Sequence, residues 1–382
     1  MNSMRAVRHF VLTCIVGLGW ASAAFGADPG VSATEIVVGQ NITLQGGKNF
    51  YGVEVLAGVR TLLDQTNRAG GVNGRQIVLR TLDDDNKSDL AEANARKLIQ
   101  EGAFVLFGSI EGGPSTAVMK AAADLNAPFF GPMAGSPALR RPHQPLVFPV
   151  RAEHREEFRA LIRYGTSIGL KRVAFLHSDS EVGLQHLANV KLAAAESGAE
   201  FAVALPVKSD TGDARLDAFV KQLRENKAEM VINHGSTSLY ERLIRKARAA
   251  GLNITFLAVN SGSTQLAAAL GPLAHGMVFA QVLPNPRLRK TAITREYQDA
   301  FALAHPGREF SYASLEGYLT AKALVITLRQ AGAQPSRGAL VKALETADID
   351  LGGVRLHYRP GDHAGSTLVD LALVTREGWF LQ

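Results

Sequence analysis

Asn67-Arg-Ala-Gly-Gly-Val-Asn-Gly-Arg-Gln-Ile-Val-Leu-Arg-Thr-Leu-Asp-Asp-Asp85 reads as the end of a helix, a glycine turn, an apolar strand and an acidic strand exit. Gly70 and Gly71 can take the left-handed backbone that stops a helix, and Asn73-Gly74 is a strong turn pair. The run Ile77-Val78-Leu79 is apolar without alternation, as a strand covered on both faces would be. The aspartates 83–85 are expected to line the strand exit and to cap the next helix at its positive end.

The pattern recurs along the chain. Short apolar runs lie at Ile36–Gly39, Ile77–Thr81, Phe104–Phe107, Pro128–Phe130, Val173–His177, Phe201–Leu205, Met230–Asn233, Phe256–Val259 and Met277–Ala280. Between them, sets such as Phe158, Leu161, Ile162 and Leu216, Phe219, Val220, Leu223 recur at helical spacing and mark one buried face. Strand–helix alternation of this kind predicts α/β architecture with parallel sheets covered by helices on both sides. The alternation is interrupted at Pro149-Val-Arg151 and again at Pro284-Asn-Pro286; a long helical pattern, Tyr312 to Ala331, and a β-rich tail follow.

The first residues carry a different signal. Arg5, Arg8 and His9 precede the apolar run Phe10 to Trp20, and small residues follow to Ala27. This is the pattern of a secretory signal peptide, too short to span a bilayer, with cleavage expected after Gly26 and the mature protein expected in the periplasm. The only cysteine, Cys14, lies within that run, so neither disulfide nor thiol chemistry is expected after cleavage. Without Arg5 and Arg8 the 41 basic residues become 39 against 35 acidic ones, a net charge near +4. The charges are mixed along the chain, which argues against a nucleic-acid partner.

The order helix, Asn-x-x-Gly-Gly-Val-x-Gly, strand and Asp pair resembles the signature of periplasmic ligand-binding proteins of the branched-chain amino-acid type. The helix end Ala247-Arg-Ala-Ala-Gly-Leu252 is similar to theirs as well. The resemblance implies a type I periplasmic binding fold: two doubly wound parallel-sheet lobes joined by three crossovers. By that analogy residues 33–149 and 283–349 form one lobe, and 150–282 and 350–382 the other. It also implies a monomeric receptor delivering a small solute to the membrane permease of an ABC transporter, with no cofactor. A sensory receptor on the same fold is the alternative. Both act by lobe closure around a ligand.

In open parallel sheets, ligands bind at the carboxyl ends of strands, where helix N-termini expose unpaired N–H groups. That rule selects the loops 40–51, 108–115 and 132–136 of one lobe and 177–181, 233–236 and 260–263 of the other. In Gly108-Ser-Ile-Glu-Gly-Gly-Pro-Ser115, Pro114 suits a first helical turn, and N–H groups near Gly112 and Gly113 could hold a carboxylate or carbonyl oxygen. The loop lacks the Gly-Lys-Ser/Thr ending of a phosphate-binding loop. Tyr51 resembles an aromatic that the family places beside its ligand, and a packing tyrosine is the alternative.

Several positions depart from the amino-acid-binding members. By the resemblance, Gly112 stands where a serine holds the ligand carboxylate, and Asn260 where a carboxylate holds the ammonium. Val182 and Ser236 replace aromatics, and Met133 and Gly135, next to Ser136, occupy places often taken by Ala and by Thr or Ser. A buried ammonium without a charged or multiply hydrogen-bonded partner costs several kcal/mol. A zwitterion is therefore disfavoured unless Glu111, Asp179 or Glu181 supplies the anion. His177 and His234, at expected strand ends, could instead donate to an acid, an amide or a phenol.

Catalysis has little support. His177-Ser-Asp179 is contiguous, whereas a triad converges from separate elements, and no Gly-x-Ser-x-Gly elbow is present. Asp83 to Asp89 contains Lys87, and Asn94 falls where a calcium loop needs an acid, so neither a metal site nor an enzyme is expected.

Overall fold

A computed structural model of the protein describes residues 28–378 and 380–382. The signal peptide expected over 1–26 lies outside the described residues. Strands β1 (Glu35–Ile42), β2 (Gln76–Asp83), β3 (Val105–Phe107), β4 (Phe129–Phe130) and β5 (Val147–Phe148) form a parallel sheet in the order β2-β1-β3-β4-β5. β1 is buried from Ile36 to Ile42, as a central parallel strand must be. Helices α1 (Phe50–Arg68), α2 (Ser88–Gln100) and α3 (Gly112–Asp124) follow β1, β2 and β3.

After α4 (His154–Ser167) the chain builds a second sheet from β6 (Arg172–Ser178), β7 (Glu200–Val207), β8 (Met230–His234), β9 (Thr255–Ala258) and β10 (Val278–Gln281). These five are parallel and connected through α5 (Glu181–Glu196), α6 (Asp213–Glu225), α7 (Thr237–Ala249) and α8 (Ser263–Leu270). The long pattern at Tyr312 becomes α10 (Tyr312–Gln330), which packs with α9 (Ala292–Ala304) and α11 (Arg337–Thr346) back on the first lobe. The tail contains an antiparallel trio, β11 (Asp348–Asp350), β12 (Arg355–Arg359) and β13 (Asp362–Gly365), then β14 (Asp370–Val374) and β15 (Phe380–Leu381). β14 joins β10 antiparallel, giving the order β15-β14-β10-β9-β8-β6-β7. Among the described residues, no helix is long and apolar enough to cross a membrane.

The last passage between lobes differs from the expected seam at 349/350. Ile349, Leu351, Val354, Leu356 and Tyr358 are buried in the first lobe's core, and the Tyr358 hydroxyl donates to the carbonyl of Pro149 at 2.8 Å. β12 alternates exposed and buried residues, and its apolar face covers the first lobe. The second sheet regains the chain only at β14.

The stretch 67–85 has a specific geometry. Asn67 Oδ1 accepts from Ile77 N–H at 2.8 Å and its Nδ2 donates to Ile77 C=O at 2.9 Å, so the helix end grips the strand it precedes. Gly71 has φ 75°, and a Cβ there would fall 1.9 Å from the Arg75 carbonyl oxygen. The aspartates do not cap α2, whose N-cap is Lys87 without a side-chain bond. Instead Asp83 accepts N–H bonds from Leu44, Gln45 and Gly46 at 2.9, 3.1 and 2.9 Å, across the sheet top. Asp84 accepts from Asn41 Nδ2 at 2.7 Å and Thr43 Oγ1 at 2.6 Å. These carboxylates find closer donors at the end of β1 and in the turn after it, and so fasten that turn to the exit of β2.

Candidate functional site

Because strands of both sheets end toward one another, the loops after them enclose a cleft of about 650 Å³ between the lobes. Small-molecule sites span roughly 300–1,000 Å³. Of the expected residues, Tyr51, Glu111, Gly112, Met133, Gly135, Ser136, His234 and Ser236 line it. Gln45, Lys48, Asn49, Phe50, Ser178, Asn233, Ser261 and Gly262 from the expected loops do too, as does Val182 just past one of them.

Four expected residues lie elsewhere. The Asn260 side chain turns away from the cleft and accepts from Arg151 Nη2 at 2.6 Å, while its own N–H donates to Glu157 Oε2 at 2.8 Å. Asp179 is exposed beside Lys208, with 3.6 Å between carboxylate and ammonium. His177 is buried behind the wall, stacked on Phe175 at 5.5 Å, with Nδ1 2.9 Å from the Ser178 carbonyl. Gly113 faces α2, where a Cβ would meet Ser88 Oγ at 2.9 Å. Glu181, the other candidate anion, is exposed in the first turn of α5 and is not part of the lining.

The floor is a buried ionic hub absent from the sequence expectation. Arg151 leaves the first crossover, and its Nη2 donates to Glu157 Oε1 at 3.1 Å, while Nη1 stands 3.6 Å from Glu316 Oε1. The Tyr51 hydroxyl donates to Glu316 Oε2 in a short bond. His154 Nδ1 lies 2.8 Å from Glu157 Oε1. Glu316 belongs to α10 of the first lobe and Glu157 and Asn260 to the second, so one guanidinium spans both. Burial pushes the Glu157 and Glu316 carboxyls up, and Arg151 opposes that rise. Burial lowers the Arg151 pKa, but Glu316 and Glu157 outweigh it and hold the guanidinium charged, above its ordinary value. Burial first, then Glu316, puts the Tyr51 hydroxyl well above the phenol range, so Tyr51 stays a donor. Arg140 braces the crossover by donating to the carbonyls of Ala134, Ser136 and Arg151 at 3.2, 3.1 and 2.9 Å.

One wall is made of imidazoles. His154 and His234 have ring centroids 4.3 Å apart, His186 and His234 3.9 Å, with Phe158 behind them. Burial is the main cause pushing all three pKa values below the histidine range; Arg151 and Arg140 add to it at His154, neighbouring histidines at His186, and His154 and Arg151 at His234. They are neutral rings at neutral pH. Gly135 makes this possible, because a Cβ there would strike the His154 ring at 2.6 Å. Among the described residues, no group of three or more His, Cys, Asp or Glu is placed to hold a metal ion.

Among the described residues, two buried side-chain polar atoms of the lining lack partners, Ser136 Oγ in the first lobe and His186 Nδ1 in the second. Glu111, the N-cap of α3, has φ 64° and ψ 146°, a region that side-chain-bearing residues rarely adopt and that costs about 1–3 kcal/mol. Exposed to the cleft yet enclosed by both lobes, its carboxyl is pushed up by burial, then by Asp84, against Arg151.

Two parallel-sheet lobes with a polar cleft at their strand ends define the class of two-lobed solute-binding proteins, type I fold. The chain belongs to the periplasmic binding protein family, whose model, described as "Periplasmic binding protein", matches residues 35–378. It is 23% identical over 329 residues to Leu/Ile/Val-binding protein homolog 3 of Brucella melitensis, covering 86% of this chain and 85% of that one. It is 25% identical over 288 residues to the leucine-, isoleucine-, valine-, threonine-, and alanine-binding protein of Pseudomonas aeruginosa, covering 72% of each. The crystal structure of a possible leucine/isoleucine/valine-binding protein from Rhodopirellula baltica superposes with a TM-score of 0.82 at 25% identity, over 92% of this chain and 97% of that one.

Proposed function

We propose that the protein is a periplasmic receptor that captures a small polar organic solute carrying a carboxylate or amide and delivers it to an ABC permease. The observation that carries this reading is the cleft lined from both lobes, with an unpartnered buried polar atom on each side. A ligand that satisfies Ser136 Oγ and His186 Nδ1 together gains contacts only when the lobes close over it, which is how binding biases a two-state hinge. Export through a cleaved signal peptide places the receptor where solutes arrive. The relatives named for leucine, isoleucine and valine make a branched carbon skeleton with a carboxylate the natural starting class. The protein acts as a monomer and turns nothing over.

A thermal-shift screen of amino acids, aromatic acids and amides tests this reading. A bound solute raises the melting temperature by mass action, by about 2.7 kcal/mol of stability at a hundred times Kd. A flat response across the library counts against the proposed ligand range. Consumption of any stabilising compound by the purified protein counts against a receptor.

A further inference from the structure

The charges of the lining are unevenly placed. Among the described residues, the second lobe contributes no carboxylate to the cleft surface. Glu157 is fully buried and is engaged by Arg151, by His154 and by the Asn260 N–H. Asn260 itself is turned into the hub. A ligand ammonium would therefore meet neutral imidazoles on the second lobe and a single free carboxylate, Glu111, on the first. On the second lobe such an ammonium finds no carboxylate to offset its desolvation.

The first lobe also offers donors for an anion. The first N–H groups of α3 have no intrahelical acceptor, and no side chain caps them. A Cβ at Gly112 would touch only the Ser136 Cβ, at 4.0 Å, so the helix start lies beside Ser136, a lining residue 3% exposed whose buried hydroxyl has no partner. Opposite stand flat, uncharged rings, and Phe50 and Val182 add exposed apolar surface from the two lobes.

Resting on the receptor reading, we propose that the ligand is a monocarboxylic acid with a flat apolar body and no α-ammonium, an aryl or 2-oxo acid. Its carboxylate lies at the start of α3 and on the Ser136 hydroxyl. Its body lies against His154, His186 and His234, and His186 Nδ1 meets a ring or chain oxygen where the ligand has one.

Calorimetric titration with matched pairs tests this: phenylpyruvate against phenylalanine, 4-methyl-2-oxopentanoate against leucine, benzoate against benzylamine. At least one acid is expected to bind, and at least about tenfold more tightly than its amino counterpart. Ser136→Ala is expected to weaken that acid by roughly tenfold, the loss of a hydrogen bond to a charged group. Equal or tighter binding of the amino partner overturns the proposal and leaves the receptor reading intact. So does binding by amides such as benzamide with none by the acids. No binding by any acid, amide or amino acid removes both.

Discussion

Arg151 Nη2 lies 2.6 Å from Asn260 Oδ1, and this contact joins the first crossover to the strand-end loop of the far lobe. Asn260 therefore turns its amide oxygen to the protein's own guanidinium. With Glu157 on one side and Glu316 on the other, Arg151 sits where the two lobes share a floor, and any relative motion of the lobes acts on this hub.

Arg151→Met tests the hub as a stability element. Removing the cation leaves two buried carboxyls without their partner, a loss of about 3–5 kcal/mol. Both carboxyls already lie above the ordinary carboxylate range in the folded protein. A carboxyl raised in the folded state contributes most below its unfolded pKa, and that contribution fades as pH rises through the folded value. Without Arg151 both values rise further. Urea unfolding should show the variant's deficit widening from pH 5 to pH 8; a deficit independent of pH would mean that the carboxyls do not depend on Arg151.

The close packing of α1 on α10 should be intolerant of one methyl group. A Cβ on Gly58 would stand 1.8 Å from the Ser314 carbonyl oxygen, and one on Gly317 2.1 Å from that of Val55. α10 carries Glu316, so separating the helices also pulls Glu316 from Tyr51 and Arg151. Gly58→Ala should destabilise by about 1–3 kcal/mol or more through overpacking and should weaken ligand binding as well. Wild-type stability in urea would exclude the packing shown.

Much of the fold was legible because strand–helix alternation and the Asn67–Asp85 turn are local signals. The loops around the cleft were legible for the same reason, since helices begin where parallel strands end. The hub was not, because Arg151 and Asn260 are 109 residues apart and only the fold brings them together. His154 and His186 were missed as members of amphipathic helices; a histidine on the buried side of α5, in line with Val190 and Ala194, was the available sign. The need for glycine at 135 shows only beside the His154 ring it accommodates. Asp83 drew attention for its charge, but its role follows from a turn it meets across the sheet.

Asp83 should matter for binding although it does not line the cleft. It holds the backbone of Leu44 to Gly46, and the same turn presents Gln45, Lys48 and Asn49 to the ligand space. Burial raises the Asp83 pKa, but N–H bonds from Gly46, Asp85, Leu44 and Gln45 outweigh it and hold the carboxyl below its ordinary value. Stability from a depressed carboxyl is complete above the unfolded pKa and is lost as pH falls through the folded one. Asp83→Ala should cost about 1–2 kcal/mol, discounted for its partial exposure, and should weaken the solute severalfold. The cost should shrink below the ordinary carboxylate range. Unchanged affinity in calorimetry would free the turn from any part in binding.

Glu111 gives the bound state a pH dependence whose sign reports the ligand's charge. Its carboxyl is pushed up by burial and by Asp84, while Arg151 acts against them, and Tyr51 is close enough to feel its charge. An anion at the start of α3 adds negative charge beside Glu111 and raises its pKa further, so binding takes up a proton and affinity increases as pH falls. An ammonium paired with Glu111 would lower that pKa, release a proton on binding and lose affinity as pH falls. For an acid ligand, calorimetry in buffers of different ionisation enthalpy should show net proton uptake between pH 5 and 7, and Glu111→Gln should abolish it while keeping or improving affinity. Net proton release, together with weaker binding in Glu111→Gln, would identify the carboxylate as the partner of a cation.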